Sequence, residues 1–327
     1  MNVLTIGGVK IEGLAACVPA HAVENEAKVA QATGIVTRRI AAKGTTVADL
    51  CVKAAEKMLA DTNSKPEDFG AVLCVSFTQH NRMPATAIEA QVRLGLPKDV
   101  VAFDVSLACS GWGYGLYLAG LLAQQTGKKV LLLDGDVQSA FVGEGDAATA
   151  PLLGDAGTAT VVGIDSHPET QRRRDGWRFS FVADGEKGGA LKLEEGGTIQ
   201  MDGFGVFKFV ATDVVGYLRE FLSANSQQLT ANSFVPHQPN VYMVRQLAKA
   251  VGLEDRVLIS ADRFGNLASA SVPTTLAVHA ARVVSAEGPT RVLFAGFGGG
   301  LSISAGLVEI APNCRLSCTE VGSRDSV

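Results

Sequence analysis

The sequence predicts an α/β protein built from two similar halves. Apolar runs bounded by turn residues, which are typical of buried strands, alternate with segments whose apolar residues recur at helical spacing. Two glycine-rich stretches, GDAGTATVVGI at 154–164 and GFGGGLSISAGLVEI at 296–310, lead into β-rich endings, and each closes roughly half of the chain. This repetition favours a duplicated α/β unit over one long sheet.

The apolar runs and helical patterns define the elements of each half. Strands are predicted at 71–77, 100–107, 129–136, 158–164, 291–297 and 301–310, and helices at 45–62, 85–96, 207–225 and 241–253. The helix at 45–62 starts with a threonine cap and keeps Val47, Leu50, Ala54 and Met58 on one face. Strands that alternate with helices imply a layered arrangement.

A polar stretch marks the expected boundary between the halves. We place the first half at residues 1–168 and the second at residues 169–310, because DSHPETQRRRDGW, beginning at Asp165, is polar and rich in turn residues. Residues 311–327 show no apolar periodicity, so we expect them to form a frayed tail.

The composition indicates a folded globular protein. Of 327 residues, 47% are hydrophobic, which is enough to bury a large core. The formal net charge is −4 and there is no basic stripe, which argues against nucleic acid as the main partner but not against an acidic ligand or carrier protein. No apolar run approaches the roughly 20 residues that a bilayer requires, and the N-terminus does not look like a signal peptide. We therefore expect a cytoplasmic protein without a membrane partner.

One cysteine lies at a junction between a predicted strand and a predicted helix. In DVSLACSGWGYGLYLAGLL (104–122), Cys109 follows apolar residues and is followed by Gly111, Gly113 and Gly115. A helix N-terminus carries about half a positive charge and free N–H groups, which favour a thiolate, and the glycines permit close approach of a substrate. A buried structural cysteine is the alternative, and this stretch alone favours neither interpretation. The remaining cysteines show no metal-binding spacing.

Two further polar residues lie at junctions of the same kind. FVPHQPNVYMV (234–244) places His237 after an apolar strand and before a helix, and ADRFGNLASASVP (261–273) places Asn266 in a turn that leads into another helix. Each alone is more often structural. Together with Cys109, however, they form a set that can activate a thiol and hold developing negative charge.

The sequence resembles the thiolase-fold condensing enzymes, most closely β-ketoacyl-acyl-carrier-protein synthase III. The resemblance runs from about residue 8 to residue 310 and rests on ACSG around Cys109, GDAGTATVV (154–162), PHQPN (236–240), GNLASASVP (265–273) and GFGGG (296–300), in this order. It implies a duplicated, five-layered αβαβα thiolase fold and a homodimer. It also implies acyl carrier protein or coenzyme A thioesters as substrates, and no bound cofactor or metal.

The resemblance implies a role for each polar residue. Cys109 would accept an acyl group from a thioester, and an oxyanion hole would be formed by the N–H groups of Cys109 and Gly299. His237 and Asn266 would bind the carbonyl of a malonyl thioester while CO2 leaves, and the resulting carbanion would attack the acyl group. In the substrate pocket, Phe297 would form part of the wall. Met83 occupies the family position that caps the partner subunit's acyl pocket, although simple core packing is an equal alternative.

Several family features for binding coenzyme A are missing. The segment VAQATGIVTRRIA has no aromatic residue where the family carries a tryptophan, the arginine before the GDAG motif is absent, and Tyr242 stands at a family arginine position. Lys208 and Asn240 do match residues of the carrier-binding or coenzyme A-binding face. Basic residues that offer replacement charge are Arg38, Arg39 and Arg263. Loss of an aromatic stack and an arginine weakens nucleotide binding, which favours a specialised relative in polyketide or secondary metabolite biosynthesis over the usual fatty acid enzyme.

Three hypotheses for the function remain open at this point. The first is decarboxylative condensation of an acyl group with a malonyl thioester. The second is transfer of the acyl group from Cys109 to an oxygen or nitrogen nucleophile, with His237 as general base. The third is a non-catalytic subunit of a heteromeric synthase. The presence of Asn266 favours the first over the second, and the presence of all three polar residues argues against the third.

Overall fold

The computed structural model describes residues 1–165, 176–225 and 231–322. The strands in these ranges, numbered in chain order, are β1 (Leu4–Ile6), β2 (Val9–Pro19), β3 (Ala22–Glu24), β4 (Thr37–Arg39), β5 (Phe69–Val75), β6 (Val101–Val105), β7 (Lys129–Asp136), β8 (Ala156–Ile164), β9 (Trp177–Ala183), β10 (Leu191–Lys192), β11 (Gln200–Met201), β12 (Ser233–Pro236), β13 (Thr290–Gly298) and β14 (Ser302–Val321). Six of them match the predicted strands, and the β-rich endings of the two glycine-rich stretches correspond to β8 and β14.

The helices occupy the segments between these strands. They are α1 (Ala27–Thr33), α2 (Val47–Thr62), α3 (Thr86–Arg93), α4 (Gly111–Thr126), α5 (Gly203–Phe209), α6 (Val215–Asn225), α7 (Val241–Ala250), α8 (Ala261–Phe264), α9 (Ser271–Val278) and α10 (Ala280–Val283). A π-helical segment, Val210–Val214, joins α5 to α6. As predicted, a threonine caps α2: the Thr46 hydroxyl accepts from the Asp49 N–H while the Asp49 carboxylate accepts from the Thr46 N–H.

The strand order repeats between the two halves. In the first half the order is β6-β5-β7-β8-β2, with parallel β6-β5 and β5-β7 pairs and antiparallel β7-β8 and β8-β2 pairs. In the second half, β12-β13-β14-β9 follows the same sequence of parallel and antiparallel pairs. A parallel bridge between Phe234 and Val257 takes the place of the β5-β6 pair. The duplication predicted from the sequence is therefore present in the topology.

Helices lie on both sides of each sheet and between them. Leu116 of α4 and Leu276 of α9 share one core with Leu73 from the sheet of the first half and Phe294 from the sheet of the second half. The two sheets are hydrogen-bonded into one ten-stranded sheet where the end of β14 pairs with β2. Outside the first sheet, α2 and α3 cover a second core, and outside the second sheet α6 and α7 cover a third. The result is the expected five-layered αβαβα arrangement. In the described part of the chain, none of the helices combines the length and apolar character needed to span a bilayer.

The C-terminal segment differs from the expectation of a frayed tail. Residues 311–321 continue strand β14 and pair in parallel with β2, with Arg315 opposite Gly13 and Val321 opposite Pro19. The prediction was wrong because a local pattern search cannot detect a ladder with a partner at the other end of the chain. Residues 323–327 and the proposed boundary at 168/169, with its arginine cluster, lie outside the described residues.

Candidate active site

Cys109 lies directly before helix α4, at the end of strand β6. Its side chain is 7% exposed, and the Gly111 N–H donates to the Ala108 carbonyl at 2.7 Å as the helix begins. The turn between β13 and β14 covers the sulfur, because a Cβ added to Gly298 would lie 2.8 Å from the Cys109 Cβ and 3.0 Å from Sγ. Glycine is therefore required at position 298 by close approach.

Opposing electrostatic effects act on the Cys109 sulfur. Burial, and after it the nearby Asp136 carboxylate, raise the pKa of the thiol, while the N–H groups of Cys109 and Gly299 lower it by hydrogen bonding to the sulfur; the net pKa is about 12. Burial has the larger effect, so Cys109 rests as a thiol. The sequence-based expectation that the helix N-terminus stabilises a thiolate is thus outweighed in the resting protein, and ionisation needs a base.

His237 follows strand β12 and is fixed by contacts on two sides. Its backbone N–H donates to the Ala295 carbonyl at 2.6 Å, and its ring meets the Phe297 ring edge-on, with centroids 5.3 Å apart. Nδ1 is 3.1 Å from the Ala268 carbonyl. Because a carbonyl only accepts, Nδ1 carries the proton and Nε2 of the neutral ring is an acceptor. Burial lowers the pKa of His237 to about 3, so the resting ring is neutral.

Asn266 is held in a turn that packs against the loop before strand β8. Its N–H donates to the Leu152 carbonyl at 2.7 Å, and its own carbonyl accepts from the Gly154 N–H and from Nε2 of Gln138. The side-chain Oδ1 accepts from the Ala268 N–H at 2.9 Å. The carboxamide orientation is therefore set, and Nδ2 is the group left to donate to a ligand.

Ala268 links the histidine to the asparagine, and the sequence did not single it out. Its carbonyl orients His237 and its N–H orients Asn266, with a left-handed backbone at φ 48°. For a residue other than glycine this conformation costs about 1–2 kcal/mol. No side-chain chemistry marks such a residue, which explains why a reading of the sequence misses it.

A pair of buried acids lies under the same site. Asp136 accepts from the hydroxyls of Ser76 and Thr78, both at 2.9 Å, and burial raises its pKa to about 7. Asp134, two residues earlier on the same face of β7, is fully buried, and this burial raises its pKa well above the usual range, although the Ser269 hydroxyl lowers it. The sequence LLLDGD carried the signal, because two acids at this spacing in an apolar strand are unusual.

Comparison with known proteins finds family models and relatives that match this chain. Residues 103–185 match the family model for 3-oxoacyl-[acyl-carrier-protein] synthase III, and residues 224–310 match the model for its C-terminal part. The chain is 33% identical over 290 residues to the β-ketoacyl-[acyl-carrier-protein] synthase III of Serratia proteamaculans, covering 85% of this chain and 88% of that protein. The chain belongs to the β-ketoacyl-acyl-carrier-protein synthase III family. It is 30% identical over 292 residues to the Tropheryma whipplei synthase III, covering 86% and 88% respectively.

Solved structures agree with this family assignment. A 3-oxoacyl-(acyl-carrier-protein) synthase from Burkholderia xenovorans superposes with a TM-score of 0.89 at 29% identity, covering 98% of this chain and 99% of that one. A priming β-ketosynthase from a polyketide biosynthetic pathway superposes with a TM-score of 0.83 at 26% identity, covering 95% and 98%. The thiolase fold inferred from the sequence is thereby confirmed.

The two residues expected to shape the substrate pocket have opposite environments. Phe297 is buried against the His237 ring, which places it at the catalytic candidates. Met83 precedes a cis proline and is 85% exposed. This exposure excludes the alternative that Met83 packs in the core, and it leaves the side chain available to a partner subunit.

The residues expected to bind a carrier or coenzyme A have mixed environments. Lys208, in the last turn of α5, lines a surface cavity of about 510 Å³. The Asn240 side chain caps α7 by accepting from the Met243 N–H at 2.7 Å. Arg38 donates to Asn25 at 2.9 Å and to the Ala150 carbonyl at 2.8 Å, so its guanidinium holds two loops together. Arg263 is exposed, and its guanidinium lies 5.1 Å from the centroid of the Phe264 ring. Lys208 and Arg263 therefore present charge outward, whereas Arg38 and Asn240 are engaged within the protein.

Proposed function

We propose that the protein is a β-ketoacyl synthase III-like acyltransferase that joins an acyl group to a malonyl thioester with loss of CO2. The observation that carries this proposal is the shared anchoring of the two polar side chains. Ala268 orients His237 and Asn266 together, so that Nε2 of one and Nδ2 of the other remain for a ligand. Two backbone N–H groups are directed at the Cys109 sulfur. Family membership supports the same reaction.

In the first half-reaction, the acyl group moves to Cys109. Nε2 of neutral His237 takes the thiol proton as Sγ attacks the thioester carbonyl, and the oxyanion receives hydrogen bonds from the N–H groups of Cys109 and Gly299. Collapse breaks the bond to the leaving sulfur, which takes the proton from His237. The products are acyl-Cys109 and a free thiol, with the imidazole neutral again.

In the second half-reaction, a malonyl thioester loses CO2. The electron pair of the broken C–C bond enters the thioester as an enolate, whose oxygen accepts from Nδ2 of Asn266. The negative charge of the malonyl group and of the enolate favours uptake of one solvent proton at Nε2 of His237, which then donates to the same oxygen. The enolate carbon attacks the acyl carbonyl, and Cys109 leaves as a thiolate that takes the proton from His237. The condensation therefore consumes one proton from solvent, and His237 is where that proton enters.

The substrates, assembly and compartment belong to this proposal. Acyl thioesters on a carrier protein fit the missing features for coenzyme A and the outward charge of Lys208. A homodimer fits the exposure of Met83. All six cysteines are free thiols, which fits the reducing cytoplasm. The reaction as proposed uses no cofactor or metal.

The test measures the two half-reactions separately. The protein is incubated with a panel of acyl-coenzyme A and acyl-carrier donors, and intact mass reports acylation, which Cys109→Ala should abolish. Release of CO2 from malonyl-carrier reports condensation. Asn266→Ala should leave acylation within about threefold and lower CO2 release by roughly 100-fold, the usual effect of losing one oxyanion donor.

The other hypotheses give different results in the same experiment. Acylation of Cys109 without CO2 release, followed by transfer to an added alcohol or amine, would replace condensation with simple acyl transfer. No adduct from any donor would overturn an enzymatic role and favour a non-catalytic subunit.

A further inference from the structure

The C-terminal part of β14 packs against the turn that holds Asn266, called the catalytic turn. Match to the family model ends at residue 310, yet residues 311–321 continue as an ordered strand along β2. The Ala20 N–H donates to the Val321 carbonyl at 2.9 Å, which fixes the end of this strand beside the end of β2. The reaction described above assigns no task to this segment.

A charged pair connects the segment to the first half of the chain. Glu320 accepts from Nη2 of Arg39 at 2.7 Å, and Nη1 of Arg39 donates to the Ala20 carbonyl at 3.0 Å. The Arg39 side chain is 16% exposed and that of Glu320 is 55% exposed. Nε of Arg39 is buried without a hydrogen-bond partner among the described residues. The position of this guanidinium therefore depends on its Nη contacts.

Arg39 in turn contacts the turn that holds Asn266 and the loop that is hydrogen-bonded to this turn. Its guanidinium lies 5.9 Å from the centroid of the Phe264 ring, within the range of a cation–π interaction. Its backbone carbonyl accepts from the Asp155 N–H at 2.8 Å. Asp155 directly follows Gly154, which donates to the Asn266 carbonyl.

A small apolar cluster makes the second connection. Cys318 packs against the buried side chains of Val18, Ala156, Phe264, Leu267 and Ala270. Phe264 and Leu267 flank the dipeptide that contains Asn266. The C-terminal strand thus packs against the turn whose Asn266 N–H donates to the Leu152 carbonyl and whose Asn266 carbonyl accepts from Nε2 of Gln138.

We propose that Glu320, acting through Arg39, is a positioning residue for the Asn266 turn. The Cys109 sulfur and the N–H groups of Cys109 and Gly299 belong to other elements. His237 shares the Ala268 anchor with Asn266, but it is also held by Ala295 and Phe297, which lie outside this turn. Disturbing Glu320 therefore affects the step that needs Nδ2 of Asn266 more than it affects acylation. This inference rests on the proposed condensation for its kinetic readout.

The principal variant is Glu320→Lys, which places a like charge against Arg39. Condensation should fall about tenfold, while acylation of Cys109 should stay within twofold of the native rate. Glu309→Lys is the matched control, because Glu309 lies on the same strand and pairs with Arg291 at 3.1 Å, away from the catalytic turn. This control should keep both rates within twofold and should match the thermal stability of Glu320→Lys.

A double-mutant cycle distinguishes positioning from general destabilisation. If Glu320 acts through Asn266, Glu320→Lys should cause no further loss of condensation in the Asn266→Ala background. The proposal would be overturned if the loss of condensation in the double variant equalled the product of the losses in the two single variants. It would also be overturned if Glu320→Lys slowed both half-reactions equally, or if Glu320→Lys and Glu309→Lys had equal effects.

Hydrogen exchange tests the same inference without relying on the reaction. In Glu320→Lys the amides of Gly154 and Asn266 should exchange at least threefold faster than in the native protein, with unchanged exchange around Cys109. Unchanged exchange at both amides would overturn the proposal. Failure of the proposed function is visible separately, since it appears in the native protein as missing acylation or missing CO2 release.

Discussion

The protonation state of Cys109 is decided by two effects of different size. The start of α4 and two N–H groups favour a thiolate, but burial and the neighbouring Asp136 carboxylate oppose it and raise the pKa to about 12. A helix terminus contributes typically less than 2 kcal/mol, whereas full burial of an ionised group costs several. In the proposed reaction, the thiol therefore loses its proton only when a bound thioester brings the attacked carbonyl and Nε2 of His237 together.

This balance predicts slow reaction of Cys109 with iodoacetamide at neutral pH. The group is a weak acid with a raised pKa, so its thiolate fraction should grow tenfold for each pH unit and should not level off between pH 6 and pH 9.5. Peptide mass mapping of the modified protein measures the rate at each pH. Cys109→Ala gives the background from the other cysteines, of which Cys17 and Cys314 also have pKa values raised to about 12 by burial. A modification rate of Cys109 that reached a plateau near neutral pH would contradict the raised pKa of its thiol.

The sequence predicted where the reactive groups lie better than how they behave. Cys109, His237 and Asn266 each stand at a junction between elements, which local patterns reveal. The pKa values and the hydrogen-bonding roles depend on burial and on backbone groups such as Ala268, which is distant in sequence from His237. No pattern within one segment contains that information.

At the scale of elements, the turn between β13 and β14 brings the second half of the chain onto Cys109. Gly298 ends β13, and the space for a side chain there is already taken by the Cys109 Cβ and Sγ. Gly299 supplies an N–H to the sulfur. The turn therefore needs a residue without a side chain at position 298 and a backbone N–H directed at the sulfur at position 299.

Replacing Gly298 with alanine should abolish acylation of Cys109. An added methyl group 3.0 Å from the sulfur must displace either the thiol or the turn, and either movement removes the oxyanion donor. We expect a loss of at least 100-fold in the rate at which intact mass reports acyl-Cys109. Gly216→Ala in α6 is the control, because a Cβ there meets open space; it should acylate normally. Normal acylation of Gly298→Ala would contradict the close approach.

Elements with strong local patterns were predicted within a few residues, and those held by distant partners were not. Strand β7 has the predicted bounds, 129–136. Strands β2 and β9 were not predicted, and the end of β14 was predicted as a frayed tail. The end of β14 carries few large apolar residues; its order comes from the ladder with β2 and from Cys318 in the cluster below the catalytic turn.

At the scale of the whole molecule, duplication explains why the active site lies between the halves. The two halves follow the same strand order, so their turns and the first residues of their helices lie at equivalent ends of the strands. Cys109 comes from the first half, and His237 and Asn266 come from the second. Two glycine-rich motifs were enough to reveal the duplication. In each half, the motif lies at the connection between the last two strands, β7 and β8 or β13 and β14, and these two strands form an antiparallel pair.

The edge of the first sheet is where a second copy of the chain is expected. Strand β6 ends the order of that sheet, with Val101 partly exposed. Neighbouring helix α3 exposes Ile88 and Val92, the latter at 71%, and Met83 lies just before that helix. Exposed apolar side chains beside an unpaired strand edge are costly in a monomer, and a symmetric copy would cover both features at once.

Val92→Glu should therefore convert a dimer into a monomer without unfolding the chain. The side chain is largely exposed in one protomer, so the substitution costs the isolated fold little, but two copies would bring carboxylates into a shared apolar interface. Light scattering coupled to gel filtration measures the mass of each variant. Val36→Glu, at an exposed valine away from β6 and α3, should stay dimeric. A Val92→Glu variant that stays dimeric would place the interface elsewhere. A native protein that runs as a monomer would exclude the dimer, and Met83 would then have no partner pocket to reach.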